Sequence, residues 1–204
     1  MSSTLQIFIY PIVVVLAYLI GSLSAAIITC KIMGLPDPRT TGSNNPGATN
    51  VLRIGGKKAA IFTLVGDLLK GLIPVVIVKL IFPAESLLIA LTALAAFLGH
   101  LFPVFFQFKG GKGVATALGC IIGLNLWVAL CAFGVWLAIF LPTRISSLSA
   151  LTAAIVAPIF LWLFDASASV VIAIIIMDIL LIIRHKENIQ RILKGEEKKM
   201  TFKK

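Results

Sequence analysis

Long apolar runs broken by short polar segments organise this chain from end to end. No charged side chain occurs from Met1 to Cys30, and none from Gly113 to Thr143. A helix needs about 20 apolar residues to cross ~30 Å of hydrocarbon at 1.5 Å per residue. The pattern therefore predicts an all-α polytopic membrane protein, one integral-membrane domain over 1–204, with spans at about 5–29, 59–82, 87–106, 148–164 and 170–183. The uncharged stretch Val114–Leu141 is long for one crossing and short for two. Gly123-Leu124-Asn125 suits a tight hairpin, which would divide it into spans at about 114–124 and 126–141. Between the first two spans, Lys31–Lys58 is rich in Gly, Pro, Asn and Thr and reads as an irregular polar loop. The first run has no basic flank and exceeds the roughly 7–15 apolar residues of a signal peptide. It is expected to remain as a span.

Composition removes the soluble alternatives. The 204 residues are 59% hydrophobic and 13% charged, against about a quarter charged in an ordinary globular chain. Intrinsic disorder, a coiled coil and a secreted disulfide scaffold are excluded on the same grounds. The formal net charge of +10 would suggest nucleic acid in a soluble domain. Here it reads as membrane orientation and lipid head groups. Every Lys and Arg except Lys70 and Lys79 falls in segments 31–58 and 107–113, at Arg144, or in the tail from Arg184. The amino terminus, segment 83–86, the Asn125 bend and segment 165–169 hold none. Basic residues collect in cytoplasmic loops, so Lys112 and Arg144 should share that side. The chain between them must then cross twice or not at all. Seven spans, amino terminus outside and carboxyl terminus cytoplasmic, satisfy the charge pattern; five full spans with a re-entrant loop are the competing arrangement. Cys30, Cys120 and Cys131 sit in or beside apolar runs as small hydrophobes. No metal-ligand spacing occurs, and neither a metal nor a cofactor is expected.

The polar clusters fall on the cytoplasmic side. Gly42-Ser43-Asn44-Asn45-Pro46-Gly47-Ala48-Thr49-Asn50-Val51-Leu52-Arg53 is dense in hydrogen-bonding groups and glycine. Such a loop can turn backbone N–H groups toward an anion, although a solvated loop has the same composition. Lys109-Gly110-Gly111-Lys112-Gly113 precedes an apolar helix, and the free N–H groups and positive dipole end of a helix favour phosphate. A basic loop that only sets topology is the plainer account. It is not a Walker A loop, and no G-x-G-x-x-G occurs, so nucleotide binding lacks support. Charged groups inside spans are costly and mark candidate sites. Asp67 lies roughly 12 Å into its span at helical rise, with Lys70 three positions on as a partner on one face. His100 and Asp178 lie toward the inner ends of their spans. Ser147, with Ser146 and Ser149, suits a helix start. His185 and Asn188 would share a face on a helical continuation of the last span.

Five ordered motifs carry a resemblance: Asn45-Pro46-Gly47-Ala48-Thr49-Asn50-Val51 after Gly42-Ser43, Asp67-x-x-Lys70-Gly71, His100-x-x-Pro103-Val104-Phe105-Phe106, Lys109-Gly110-Gly111-Lys112-Gly113-Val114-Ala115-Thr116, and Arg184-His185-x-x-Asn188-Ile189. Together, from about Ala17 to Glu197, the chain resembles the bacterial acyl-phosphate-dependent glycerol-3-phosphate acyltransferases, the PlsY family. The resemblance implies transfer of an acyl group from acyl phosphate to the 1-hydroxyl of glycerol 3-phosphate, giving lysophosphatidic acid and phosphate in phospholipid biosynthesis. It also implies seven helices in the bacterial inner membrane and an active site on the cytoplasmic side. By position, Ser43, Arg53, Lys112, His185 and Asn188 would be catalytic. Asn45, Asn50, Lys109, Gly110, Gly111, Gly113 and Ser147 would bind substrate, and Asp67, Lys70 and His100 would support the site from within the membrane. The match around Ser147 departs from the family pattern at Ser149-Ala150. Expected partners are acyl phosphate, glycerol 3-phosphate and membrane lipid, with no nucleic acid and no obligate protein. The His-x4-Asp motif of acyl-CoA-using acyltransferases is absent: Phe105 and Gln190 stand five residues after His100 and His185. A transporter of small phosphorylated anions is the rival class. It predicts charge along the whole path, whereas the outer half holds only Lys79, Glu85 and Asp165.

Overall fold

The computed structural model describes residues 3–200. The chain divides at the Leu124–Asn125 junction into two compact units. The first contains α1 (Ser3–Gly21), α2 (Ala25–Ile32), α3 (Ala48–Ile81), α4 (Ser86–Leu101), a single 3-10 turn at Val104–Phe106, and α5 (Val114–Leu124). The second contains α6 (Leu126–Thr143), α7 (Ser146–Leu163), α8 (Ala168–Arg184) and α9 (Lys186–Leu193). Large apolar side chains such as Phe62, Leu80, Trp127 and Trp162 are exposed, as a lipid-facing surface requires.

In the first unit α1 packs on α4 and α3 on α5. Lipid provides no hydrophobic drive between helices, so small residues that let backbones approach take its place. A side chain at Gly99 would overlap the Tyr18 carbonyl and the Ser22 amide, and one at Gly119 would overlap the Leu68 carbonyl. The first span, expected to be continuous, is interrupted at Ser22–Ser24. Ser24 Oγ then accepts from the Ile27 amide at 3.5 Å as the cap of α2. A break inside hydrocarbon leaves carbonyls that must find donors. Lys70 Nζ supplies one, bonding Leu23 O at 2.8 Å.

Helix α3 begins at Ala48, not at 59, which corrects the reading of 31–58 as loop throughout. Val51 and Ile54, three apart, bury a helical face against Ala26, Cys30 and Ala59. Gly56, at φ 75 and ψ −173, then breaks the helix before the span proper, a backbone setting open chiefly to glycine. Near the other end of α3, Lys79 Nζ bonds the carbonyls of Leu124 at 2.6 Å and Gly123 at 3.4 Å, a cation capping the C-terminal dipole of α5. Pro103 stops α4 at Leu101, short of the expected 106.

In the second unit α6 packs on α7 and α7 on α8. Asn125 Oδ1 accepts from the amides of Trp127 and Val128 and so caps α6. Trp136 stacks between Phe133 and Phe140 at centroid distances of 6.1 and 4.5 Å. The axis bends by 61° between α8 and α9, at His185. By length and apolarity five helices among the described residues can cross a membrane, or six if the bent α8–α9 pair is one span. The 11-residue α5 is shorter than a full crossing.

Candidate active site

Helices α3 and α4 are joined by a turn of only Phe82–Glu85, so the start of α3 and the end of α4 lie at one end of the first unit. Both glycine-rich loops are therefore delivered there. Asn50, 1% exposed on the first turn of α3, organises the earlier loop. Its Oδ1 accepts from the Ser43 amide at 2.9 Å, and its Nδ2 donates to Pro38 O and Thr41 O, each at 2.9 Å. Ser43 stays exposed above that network, as does Arg53 along the same helical turn, and Asn45 is partly buried. Arg39 grips Asp37 with its guanidinium at 2.7 Å and reaches Phe106 O at 3.4 Å, tying the two loops. Hydrogen bonds from Arg39 outweigh partial burial and hold the Asp37 carboxyl below its ordinary range.

The second loop, Lys109–Gly113, lies on the last turns of α4. The Gly111 amide donates to His100 O at 3.2 Å. A side chain at Gly111 would overlap His100 Nε2 and come within 2.9 Å of Pro46 O, and one at Gly110 would overlap the carbonyls of His100 and Leu101. Backbone thus lies on backbone, with Gly113 at φ 89 leading into α5. Lys109 is exposed and Lys112 half-buried. Beneath them Asp67 pairs with Lys70 at 2.8 Å and stands 3.6 Å from His100 Nδ1. The first unit thereby brings together the Ser43–Arg53 segment, Lys109–Gly113 and the buried Asp67, Lys70 and His100.

The second unit gathers the remaining residues separately. His185, 3% exposed, has Nδ1 at 2.8 Å from Leu181 O. A carbonyl only accepts, so Nδ1 carries a proton. Ser147 lies in the first turn of α7; Ile145 is its N-cap, which corrects Ser147 as a capping residue. Ser147 Oγ instead donates to Glu197 Oε1 at 2.7 Å, and Asn188 Nδ2 donates to the same oxygen. Arg191 Nε bonds Glu197 Oε2 at 2.7 Å, and the Met200 amide donates to Arg144 O at 2.8 Å, so the tail folds back on the start of α7. Burial raises the Glu197 pKa, but the donors Ser147, Arg191 and Asn188 outweigh it and hold the carboxyl below its ordinary value. Sequence reasoning did not single out Glu197. Its signal was a Gly195-Glu196-Glu197 step within an otherwise basic tail.

Apolar helices bearing polar loops at their ends define a multi-pass integral membrane protein whose candidate groups are cations, hydroxyls and amides. Among the described residues no three His, Cys, Asp or Glu are grouped to hold a metal. The chain belongs to the glycerol-3-phosphate acyltransferase family, whose sequence model matches residues 11–195. A glycerol-3-phosphate acyltransferase of Methylococcus capsulatus is 56% identical over 92% of this chain and 94% of its own length. Two crystal structures of PlsY (YgiH), an integral membrane glycerol 3-phosphate acyltransferase, are similar. The glycerol 3-phosphate form has a TM-score of 0.90 at 44% identity, over 94% of this chain and 96% of that one. The lysophosphatidic acid form has a TM-score of 0.88 at 43% identity, over 95% and 96%.

Proposed function

We propose that this protein transfers an acyl group from acyl phosphate to the 1-hydroxyl of glycerol 3-phosphate on the cytoplasmic face of a bacterial inner membrane. The observation that carries the reading is the seating of the Lys109–Gly113 loop on His100 and Pro46, because it brings the two lysines of one loop beside the loop that leads to Arg53. Both substrates carry phosphate, so several cations and N–H donors are needed. Arg53 offers a planar fork for bidentate contact, and Lys109 and Lys112 offer point charges. Ser43, Ser147, His185 and Asn188 supply hydrogen bonds to the glycerol phosphate.

The chemistry needs no covalent enzyme intermediate, because the acyl phosphate is already activated. The glycerol hydroxyl oxygen attacks the acyl carbon, and the bond from that carbon to the phosphate oxygen breaks. Phosphate leaves with the electron pair, and the hydroxyl proton passes to a phosphate oxygen. Positioning and electrostatic stabilisation supply the acceleration. His185 binds the glycerol phosphate rather than acting alone as base. The apolar chain of the donor reaches the site from the bilayer.

Purified protein in detergent, given palmitoyl phosphate with and without glycerol 3-phosphate, tests the reading. Phosphate release that requires glycerol 3-phosphate, with lysophosphatidic acid formed and palmitoyl-CoA inert, is the expected outcome. Equal use of palmitoyl-CoA would remove the acyl-phosphate assignment. No release from folded protein, with glycerol 3-phosphate flux in liposomes, would turn the reading to transport.

A further inference from the structure

Two buried groups to which no substrate contact was assigned above lie beneath the glycine-lysine loop. Asp67 on α3 is 2% exposed and His100 on the last turn of α4 is 7% exposed. One edge of the imidazole faces the carboxylate, with Nδ1 3.6 Å from Asp67 Oδ1. The opposite edge faces the loop: Nε2 occupies the space that any side chain on Gly111 would fill. The same residue's carbonyl accepts the Gly111 amide at 3.2 Å. Around the carboxylate, Lys70 holds Oδ1 at 2.8 Å, and Thr116 Oγ1 donates to the Asp67 carbonyl at 2.9 Å. The pair is therefore anchored to α3, to the start of α5 and to the end of α4.

Charge balance alone does not explain this arrangement. Asp67 and Lys70 already neutralise each other within one turn, and an apolar residue at position 100 would fill the volume more cheaply in hydrocarbon. What the imidazole adds is a rigid polar plate between a fixed carboxylate and a backbone that has little rigidity of its own. Three of the five residues Lys109–Gly113 are glycine, and glycine loses more conformational freedom on ordering than any other residue. A phosphate cradle made from such a chain is preorganised only if something outside it fixes the backbone.

We propose that His100, backed by Asp67, is a positioning residue that fixes Gly111 and thereby aims Lys112 and the loop N–H groups at a substrate phosphoryl group; this rests on the acyl-transfer reading above. The loop holds phosphate in the ground state as well as in the transition state. Loosening it therefore weakens substrate binding more than it slows the bound complex.

Three variants separate positioning from packing. His100→Gln keeps a polar terminus near the Nε2 position, His100→Asn keeps one near Nδ1, and His100→Ala keeps neither. For purified protein, KM for at least one phosphate-bearing substrate should rise about tenfold in His100→Ala and His100→Asn with kcat within about threefold, and His100→Gln should recover most of the loss. A merely structural role lowers the melting temperature and the active fraction instead. In that case kcat falls with the amount of folded protein and both KM values stay put, which overturns the proposal. Asp67→Asn should follow His100→Asn in direction. The affinity of each folded variant for inorganic phosphate is measured beside the kinetics. If the parent protein fails to transfer acyl groups at all, the functional reading falls. The positioning claim then stands or falls on whether His100→Asn weakens phosphate binding and His100→Gln does not.

Discussion

Lys112 is the residue on which the phosphate reading bears hardest, since it follows the Gly110–Gly111 contact with α4 and precedes the first turn of α5. Lys112→Ala should abolish turnover while leaving membrane insertion and melting temperature unchanged; normal turnover in the folded variant would remove the cradle argument. Glu197 yields a pH prediction. Its folded pKa lies below the unfolded one, so its contribution to holding the tail is present above the ordinary carboxylate range and is lost as pH falls through the folded value. The Met200 amide, bonded to Arg144 O, should lose hydrogen-exchange protection as pH falls below the ordinary carboxylate range, once intrinsic exchange rates are allowed for. Glu197→Gln should remove that pH step; a step that persists in the variant would assign it to another group. These two residues show how unevenly the site could be read beforehand. Lysine-glycine spacing announces an anion loop through its chemistry alone. The grip of Glu197 on Ser147 and Asn188 depends on a chain return across 50 residues, which no local pattern encodes. Asn50 falls between: its polarity was visible, but its amide goes to Pro38, Thr41 and Ser43 of its own loop, a structural use that spacing cannot distinguish from substrate binding.

Helices were legible wherever apolarity alone decided the matter. The expected 148–164 and 170–183 lie within two residues of α7 and α8 at both ends. Breaks inside apolar runs were not, because hydropathy is blind to who satisfies the backbone. The interruption at Ser22–Ser24 depends on Lys70, 47 positions away from the carbonyl it bonds. The helical turns over 48–55 depend on Val51 and Ile54 finding α2. Asn125 was read correctly as a break, and its physical basis is a cap: one side-chain oxygen serving two amides at 2.9 and 3.2 Å. Asn125→Ala should therefore destabilise the protein by about 1 kcal/mol, read as a lower melting temperature in detergent, whereas Asn125→Asp should be close to neutral. Equal losses in both would show that the amide group, not the cap, matters there.

At the scale of the whole molecule the quantity that decides the topology is the number of crossings between Lys112 and Arg144, two or none. An 11-residue helix rises about 16 Å, roughly half the hydrocarbon thickness, which by itself favours a re-entrant loop. The contacts of α5 bear on the shortfall. Its first turn is level with Asp67, since Thr116 bonds the Asp67 carbonyl, and its last carbonyls are level with Lys79, two residues from the end of α3. The Lys109–Gly113 loop is thus sunk to the depth of Asp67, and α5 has only the remaining distance to climb before it reaches the level where α3 ends. We propose that loop and helix together make one crossing, and the 18 residues of α6 are long enough for another. Two crossings keep Lys112 and Arg144 on one side, as the charge pattern requires, and a re-entrant loop does so equally. With Cys30, Cys120 and Cys131 changed to serine, single cysteines at Asn125 and Ala166 should react with an impermeant thiol reagent on spheroplasts. Those at Gln107 and Thr143 should react only after lysis. Labelling of Asn125→Cys only after lysis would establish the re-entrant arrangement and five crossings. The glycine-lysine loop would then sit in an inward-facing hairpin, not at the foot of a spanning segment.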